Sequence, residues 1–188
     1  MIVIIGASAS GKTEVSKILD DKYGYKKLIT STTRPMRIGE INHVDYHFLT
    51  KDVFLEGISN NYFIEHACYN DNYYGIHKND INENALVVVE PNGANTLIEQ
   101  LGENAYVVYI ETTKDIREAR MLARKDHKLD VELRLKNDER IFKKENIKRI
   151  DLLVLNNEHQ LEKVAKYIAD NYLIYQNEKR GCNEIKKR

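Results

Sequence analysis

Neither sign of charge is in excess in this 188-residue sequence: 29 lysines and arginines face 29 aspartates and glutamates, so the formal net charge is zero. There is therefore no overall basic field to draw a nucleic acid or a membrane surface. Cysteine is nearly absent, and Cys68 and Cys182 fit neither a metal-ligand spacing nor a disulfide framework. That usage suits a reducing compartment. Proline is limited to two residues, and no internal repeat or low-complexity tract appears. No apolar run approaches transmembrane length. The N-terminal run Ile2–Ile5 is four residues long and has no basic leader, so it does not read as a signal peptide. The expectation is a soluble cytoplasmic enzyme with one sizeable core and room for small inserted subdomains.

What is present begins at the first residue. Met1-Ile2-Val3-Ile4-Ile5 reads as a buried strand, and Gly6-Ala7-Ser8-Ala9-Ser10-Gly11-Lys12-Thr13 follows it. The octet fills the pattern G-x-x-x-x-G-K-[ST] between a strand and an amphipathic helix, the context that pattern requires. Small side chains at Ala7, Ser8, Ala9 and Ser10 let successive backbone N–H groups converge on a phosphate. Lys12 reaches the outer phosphates, the Thr13 hydroxyl faces a magnesium ion, and the helix N-terminus adds its positive dipole end.

Val15, Ile18 and Leu19 recur at helical spacing, which predicts a helix from Thr13 to about Lys22. Lys27–Thr33 reads as the next strand of a parallel sheet. Arg34 and Arg37 then flank Pro35, so one rigid turn can present two forked donors to a phosphate dianion. A short helix is expected from Lys51 to about Asn61. Ala85–Glu90 suits a central strand opening onto the site. A helix over Gly93–Gly102, a strand over Ala105–Ile110, and a helix capped by Thr112 or Thr113 follow. Asp130 is expected to start another helix, and Asp151–Leu155 to be the last strand. A C-terminal helix carries Leu161, Val164, Ala165, Ile168 and Tyr172 on one face, with a polar, basic tail from about Gln176 that frays.

The run Ser31-Thr32-Thr33-Arg34-Pro35-Met36-Arg37-Ile38-Gly39-Glu40, followed by Asp45-Tyr46-His47-Phe48, resembles the signature of the guanylate kinase family. Tyr62–Ala67 and Asn72-Tyr73-Tyr74-Gly75 resemble that family's next block, in matching order and spacing. The resemblance implies an α/β fold: a P-loop NTPase three-layer α/β/α core with a parallel central sheet, a small inserted α/β subdomain that binds the nucleoside monophosphate, and a helical lid. Residues 1–33 and 83–188 would form the core, with the lid at about 120–140, and 34–82 the GMP-binding insert. The implied reaction is phosphorylation of GMP to GDP by ATP with Mg2+, in a monomer or homodimer without nucleic-acid or membrane partners.

The resemblance also assigns roles. Arg34, Arg37, Tyr46 and Tyr74, beside Gly75, would hold the GMP phosphate, Thr30 would contact guanine O6, and Glu65 would accept from the ring N1–H and exocyclic amine. A fixed carboxylate discriminates well here, because adenine lacks adjacent donors on that edge. Arg120, Arg124 and Arg134 match the arginines that bracket the moving phosphoryl group, while Arg117 and Arg140 read as solvated charges. Two positions depart from the pattern. Where the family shows Asp-x-Asp-x-x-Gly, this chain has Val88-Val89-Glu90-Pro91-Asn92-Gly93. Anchoring on Gly93 puts Glu90 at the base and a valine where an acid organises magnesium hydration. A shifted alignment puts Glu90 at the metal instead. Ile76 stands where a small hydroxyl residue is usual near guanine. Two other functions fit the motifs less fully: a related P-loop kinase with a different or relaxed acceptor, and a non-catalytic guanylate-kinase-like binding module.

Overall fold

The computed structural model describes residues 1–69 and 71–185; the expectation for the extreme basic tail, 186–188, lies outside the described residues. Nine strands and six α-helices are described in the order β1 (Ile2–Ile5), α1 (Lys12–Tyr23), β2 (Lys26–Lys27), β3 (Ser31–Thr32), β4 (His47–Phe48), α2 (Lys51–Ser59), β5 (Phe63–Tyr69), β6 (Asn72–His77), β7 (Ala85–Val88), α3 (Pro91–Leu101), β8 (Tyr106–Glu111), α4 (Lys114–Ala123), α5 (Lys128–Ile141), β9 (Leu152–Leu155) and α6 (Leu161–Ile185). A five-stranded sheet runs β2-β7-β1-β8-β9, and each of its pairings is parallel.

The alternation along β1 creates the layers. Ile2 and Ile4 face Val15 and Leu19 of α1 and Val164, Ala165 and Ile168 of α6. Val3 and Ile5 face the opposite way, onto Ala94 and Leu97 of α3. Period-2 burial on both faces is what a central parallel strand requires, and helices on each side cover it. Among the described residues no helix is long and apolar enough to cross a membrane.

A second sheet, in the order β4-β3-β6-β5, lies within the stretch between β2 and β7. Its core is aromatic: Phe54 of α2 stacks on Phe63 with ring centroids 4.4 Å apart, and on Tyr73 at 5.5 Å. The Cβ that any other residue would place at position 75 lies 2.8 Å from the Phe63 ring and 2.9 Å from Phe54. Gly75 is therefore needed for this packing.

Three expectations for the secondary structure are corrected. The strand over Lys27–Thr33 is two strands in different sheets: Lys26 and Lys27 pair with Ala85 and Leu86 in the parallel sheet, whereas Ser31 and Thr32 pair with Gly75 and Tyr74 in the second. β-Branched residues favour extended backbone without specifying a partner, so one run serves both sheets. The tail from Gln176 does not fray over 176–185: α6 continues there, held by Tyr175 Oη donating to the Glu103 carbonyl and by an Arg180–Glu83 ion pair. The helix expected to begin at Asp130 starts two residues earlier, at Lys128.

Candidate active site

The loop from Gly6 to Thr13 leaves β1 at its C-terminal end and enters α1. Its glycines are fixed by close approaches. A Cβ at Gly6 would lie 2.5 Å from the Ile110 carbonyl oxygen, and one at Gly11, where φ is +97°, would lie 2.5 Å from Asn156 Nδ2. Ala9 takes a left-handed φ of 60° without being glycine, a conformation that costs a non-glycine residue about 1 kcal/mol. Asn156 at the end of β9 is buried and donates from Nδ2 to the Ser10 carbonyl at 2.8 Å. It positions the loop, and its signal in the sequence was one asparagine of a pair after an apolar strand.

Lys12 folds back, donating to the carbonyls of Gly6 at 2.6 Å and Ala7 at 2.9 Å. Burial pushes its ammonium down to about 8, against the opposing attraction of Asp138 and Glu90. Ser8 is held from α5: its N–H donates to Asp138 Oδ2 at 2.8 Å and its hydroxyl to Oδ1 at 3.2 Å. Arg117 Nη1 of α4 reaches the same carboxylate at 2.9 Å, and both residues are buried, at 5 % and 6 % exposure. Arg117 was expected to be a solvated charge, and this is corrected. Residues 117 and 138 lie on different helices, and only tertiary packing brings them together at the loop.

Arg120 donates to the carbonyls of Ala9 at 3.2 Å and Asn156 at 2.7 Å. It borders a cavity of about 290 Å³ with Gly11, Lys12, Thr13, Arg124 and His159. Arg124 and Arg134 both pair with Asp126, at 2.9 and 3.2 Å. Arg134 also borders a second cavity of about 600 Å³, shared with Ser8, Lys12, Val88, Glu90 and Asp138. Lys12 lines both spaces. Glu90 precedes α3 without capping it through a side-chain hydrogen bond, and burial raises its pKa, with Asp138 adding to the effect and Lys12 opposing it. Val88 borders a third cavity of about 170 Å³ together with Thr13, Ser16, Thr30 and Tyr46.

The second sheet gathers the other polar group. Arg34 pairs with Glu40 at 2.6 Å and lies over the rings of Tyr46 and Phe48, 5.3 and 5.6 Å from their centroids. The Tyr46 and Tyr74 rings are 6.3 Å apart, edge to face. Arg37 is exposed, and its backbone N–H donates to the other oxygen of Glu40 at 2.7 Å. Burial raises the Tyr46 pKa, with Tyr74 adding to it and Arg34 opposing it. Thus Arg34, Tyr46 and Tyr74 come together, with Arg37 on the same turn, while Thr30 borders the cavity between Tyr46 and the loop.

Glu65 is the most unusual group. It projects from β5 toward α3, where a Cβ on Gly93 would meet its Oε1 at 3.3 Å. It is only 9 % exposed, and burial alone pushes its carboxyl up to about 7. No described residue donates a hydrogen bond to it. Buried carboxylates are ordinarily paired, so one without a partner marks a candidate binding residue. Ile76, opposite Glu65 in the sheet register, is 2 % exposed and packs into the apolar cluster of the α3 face, which accounts for an apolar residue there.

A glycine loop between the first strand of a parallel sheet and its helix, faced by an inserted sheet bearing cationic and aromatic side chains, is the architecture of the P-loop nucleotide kinases. Comparison with known proteins narrows the class. A family model described as guanylate kinase matches residues 1–171. The guanylate kinase of Helicobacter hepaticus is 32 % identical over 196 residues, covering 100 % of this chain and 97 % of that protein. The guanylate kinase of Wolinella succinogenes is 33 % identical over 180 residues, covering 90 % and 82 %. A crystal structure of guanylate kinase from Anaplasma phagocytophilum superposes with a TM-score of 0.69 at 22 % identity, covering 94 % of this chain and 86 % of that one, a likeness of fold. The chain belongs to the guanylate kinase family.

Proposed function

We propose that the protein transfers the terminal phosphoryl group of ATP to GMP, giving ADP and GDP. Glu65 carries this reading: a buried carboxylate without a donor partner is the complement of a base edge that offers two adjacent N–H donors. Guanine has that edge and adenine does not. Thr30 supplies a hydroxyl for O6, and Arg34, Arg37, Tyr46 and Tyr74 supply donors for the phosphate. The inserted unit, residues 34–82, is then the acceptor half, and the P-loop core, 1–33 and 83–188, the donor half. The lid falls at about 120–140.

No general base is required, since the attacking phosphate oxygen of GMP is already anionic near neutral pH. The protein's work is in-line positioning and neutralisation of charge on the moving group. Backbone N–H groups of Gly6–Thr13 cradle the donor, Lys12 sits between the two cavities it lines, and Arg120, Arg124 and Arg134 bring further positive charge. Arg124 and Arg134 must leave Asp126 to do so, which ties their action to closure over the substrates.

Mg2+ belongs to the same proposal. Thr13 at the start of α1, with phosphate oxygens and water, gives the all-oxygen donor set that this ion prefers; when bound, it neutralises phosphate charge. Val88, which borders the same cavity as Thr13, contributes no oxygen there, and Glu90 borders the Lys12 cavity. Cys68 is a free, exposed thiol, in keeping with a cytoplasmic location. The test is ADP release from ATP in the presence of GMP, dGMP, AMP, CMP or UMP. Release stimulated by GMP and not by AMP, CMP or UMP is expected; no GMP stimulation above the ATP background refutes the proposal.

A further inference from the structure

The contact between Asp138 and Ser8 has no part in the reaction above, yet it sits on the phosphate loop. One carboxylate takes the Ser8 N–H at 2.8 Å and its hydroxyl at 3.2 Å, while buried Arg117 neutralises it from the side at 2.9 Å. Arg117 Nη1 also lies 3.5 Å from the Ser8 carbonyl, and its Nε has no hydrogen-bond partner among the described residues. A carboxylate accepting a loop N–H, with a guanidinium alongside, is an anion held in an anion-binding loop.

The two cavities bordered by Lys12 give this arrangement a direction. The cavity of Gly11, Thr13 and Arg120 lies on the donor side, whereas Ser8, Asp138 and Glu90 border the one that Val88 and Arg134 share. A triphosphate entering by the first side brings its terminal phosphate past Lys12 toward Ser8. That phosphate and the Asp138 carboxylate then compete for one N–H as like charges in a partly buried space. Asp138 also lies one turn beyond Arg134 on α5, so displacing it perturbs the helix that carries this arginine.

We propose that Asp138 is a positioning residue that holds the place of the donor's terminal phosphate in the nucleotide-free protein, so that ATP must displace it to seat and thereby releases α5 from the loop. This rests on the reading of Gly6–Thr13 as the donor site. A diphosphate, lacking the terminal group, leaves Asp138 in place. The residue therefore sets the relative affinity for ATP and ADP, which a purely structural ion pair does not do.

The test is calorimetric titration of MgATP and MgADP into the full chain. Asp138→Asn keeps the shape and an acceptor for the Ser8 N–H while removing the charge. It is expected to tighten MgATP by about tenfold, as loss of a nearby like charge allows, with MgADP and GMP affinities little changed. Because this variant strands the Arg117 charge, the pair Arg117→Met and Arg117→Met/Asp138→Ala provides a second comparison; the double variant leaves no buried charge unpaired. Its ratio of MgATP to MgADP affinity is expected to exceed that of the single. Ratios that do not move in either comparison, with melting curves showing folded protein, overturn the proposal. Lys12→Ala separates this from the reading beneath it: unimpaired turnover in that variant would overturn the donor-site assignment itself, whereas lost turnover with unmoved ratios overturns only the role of Asp138.

Discussion

Replacing Glu65 by glutamine should stabilise the protein while removing its acceptor recognition. The carboxyl is 9 % exposed and burial raises its pKa from 4.5 to about 7. At 1.36 kcal/mol per tenfold change in protonation equilibrium, ionised Glu65 costs the fold about 3 kcal/mol at most. The sign follows from linkage. Below pH 4.5 the carboxyl is protonated in both folded and unfolded chains and costs nothing through ionisation. Between 4.5 and about 7 the folded chain binds more protons than the unfolded one, so the stability contributed by the neutral carboxyl is lost as pH rises. Above about 7 the loss is complete. Glu65→Gln escapes it. At about 2–4 °C per kcal/mol for a chain of this size, its melting temperature at pH 8 should exceed the wild type's by roughly 6–12 °C. The difference should shrink toward pH 5. Melts of both proteins across that range supply the test. A difference independent of pH, or a variant less stable at pH 8, would refute the assignment of an unpaired, desolvated carboxylate. The same titration governs binding: GMP needs the ionised acceptor, so wild-type affinity should fall about tenfold from pH 8 to pH 6. Glu65→Gln, measured alongside, isolates the titration of the GMP phosphate itself.

Three further outcomes follow from the geometry. Lys12, depressed to about 8 by burial, loses its charge as pH rises through that value, so MgATP should bind more weakly at pH 9 than at pH 7 and take up a proton on binding; equal affinities would contradict a charged Lys12 in the donor site. Gly6→Ala drives a Cβ to 2.5 Å from a backbone carbonyl of β8 and should cost about 2–4 kcal/mol by denaturant titration, as overpacking against main chain does; a loss below 1 kcal/mol, on the same scale, would show that the loop is not clamped there. Val88→Asp sets a carboxylate beside Thr13 and should lower the Mg2+ concentration for half-maximal rate; an unchanged Mg2+ dependence would place the metal elsewhere.

Much of this architecture was legible because local and global signals agree. The apolar run Ile2–Ile5, the glycine loop and the amphipathic α1 each point to the same corner, and β1 and α1 form where the pattern puts them. The break between β2 and β3 was not legible, since Lys26–Thr32 has no glycine or proline to mark a boundary and only the partners β7 and β6 separate its ends. Arg117 and Asp138 were hidden for another reason. On a charge-rich helix a buried ion has no mark that separates it from its solvated neighbours, and its partner lies 21 residues away. Asn156 is a similar case, a loop-positioning amide whose role depends on the approach of β9 to the glycine loop. The polar end of α6 read as a tail, but its contacts with Glu83 and Glu103 come from loops far off in the chain. For Glu65, the motif supplied the position; the lack of a donor partner, on which the proposed recognition role rests, required the fold.

Base recognition by that carboxylate is decided by the ratio of kcat/KM for GMP over AMP, measured in wild type and in Glu65→Gln. The wild type is expected to show a strong preference for GMP that collapses in the variant through loss of GMP turnover. A wild type that releases ADP as readily with AMP, or a variant that keeps the full preference, would contradict it.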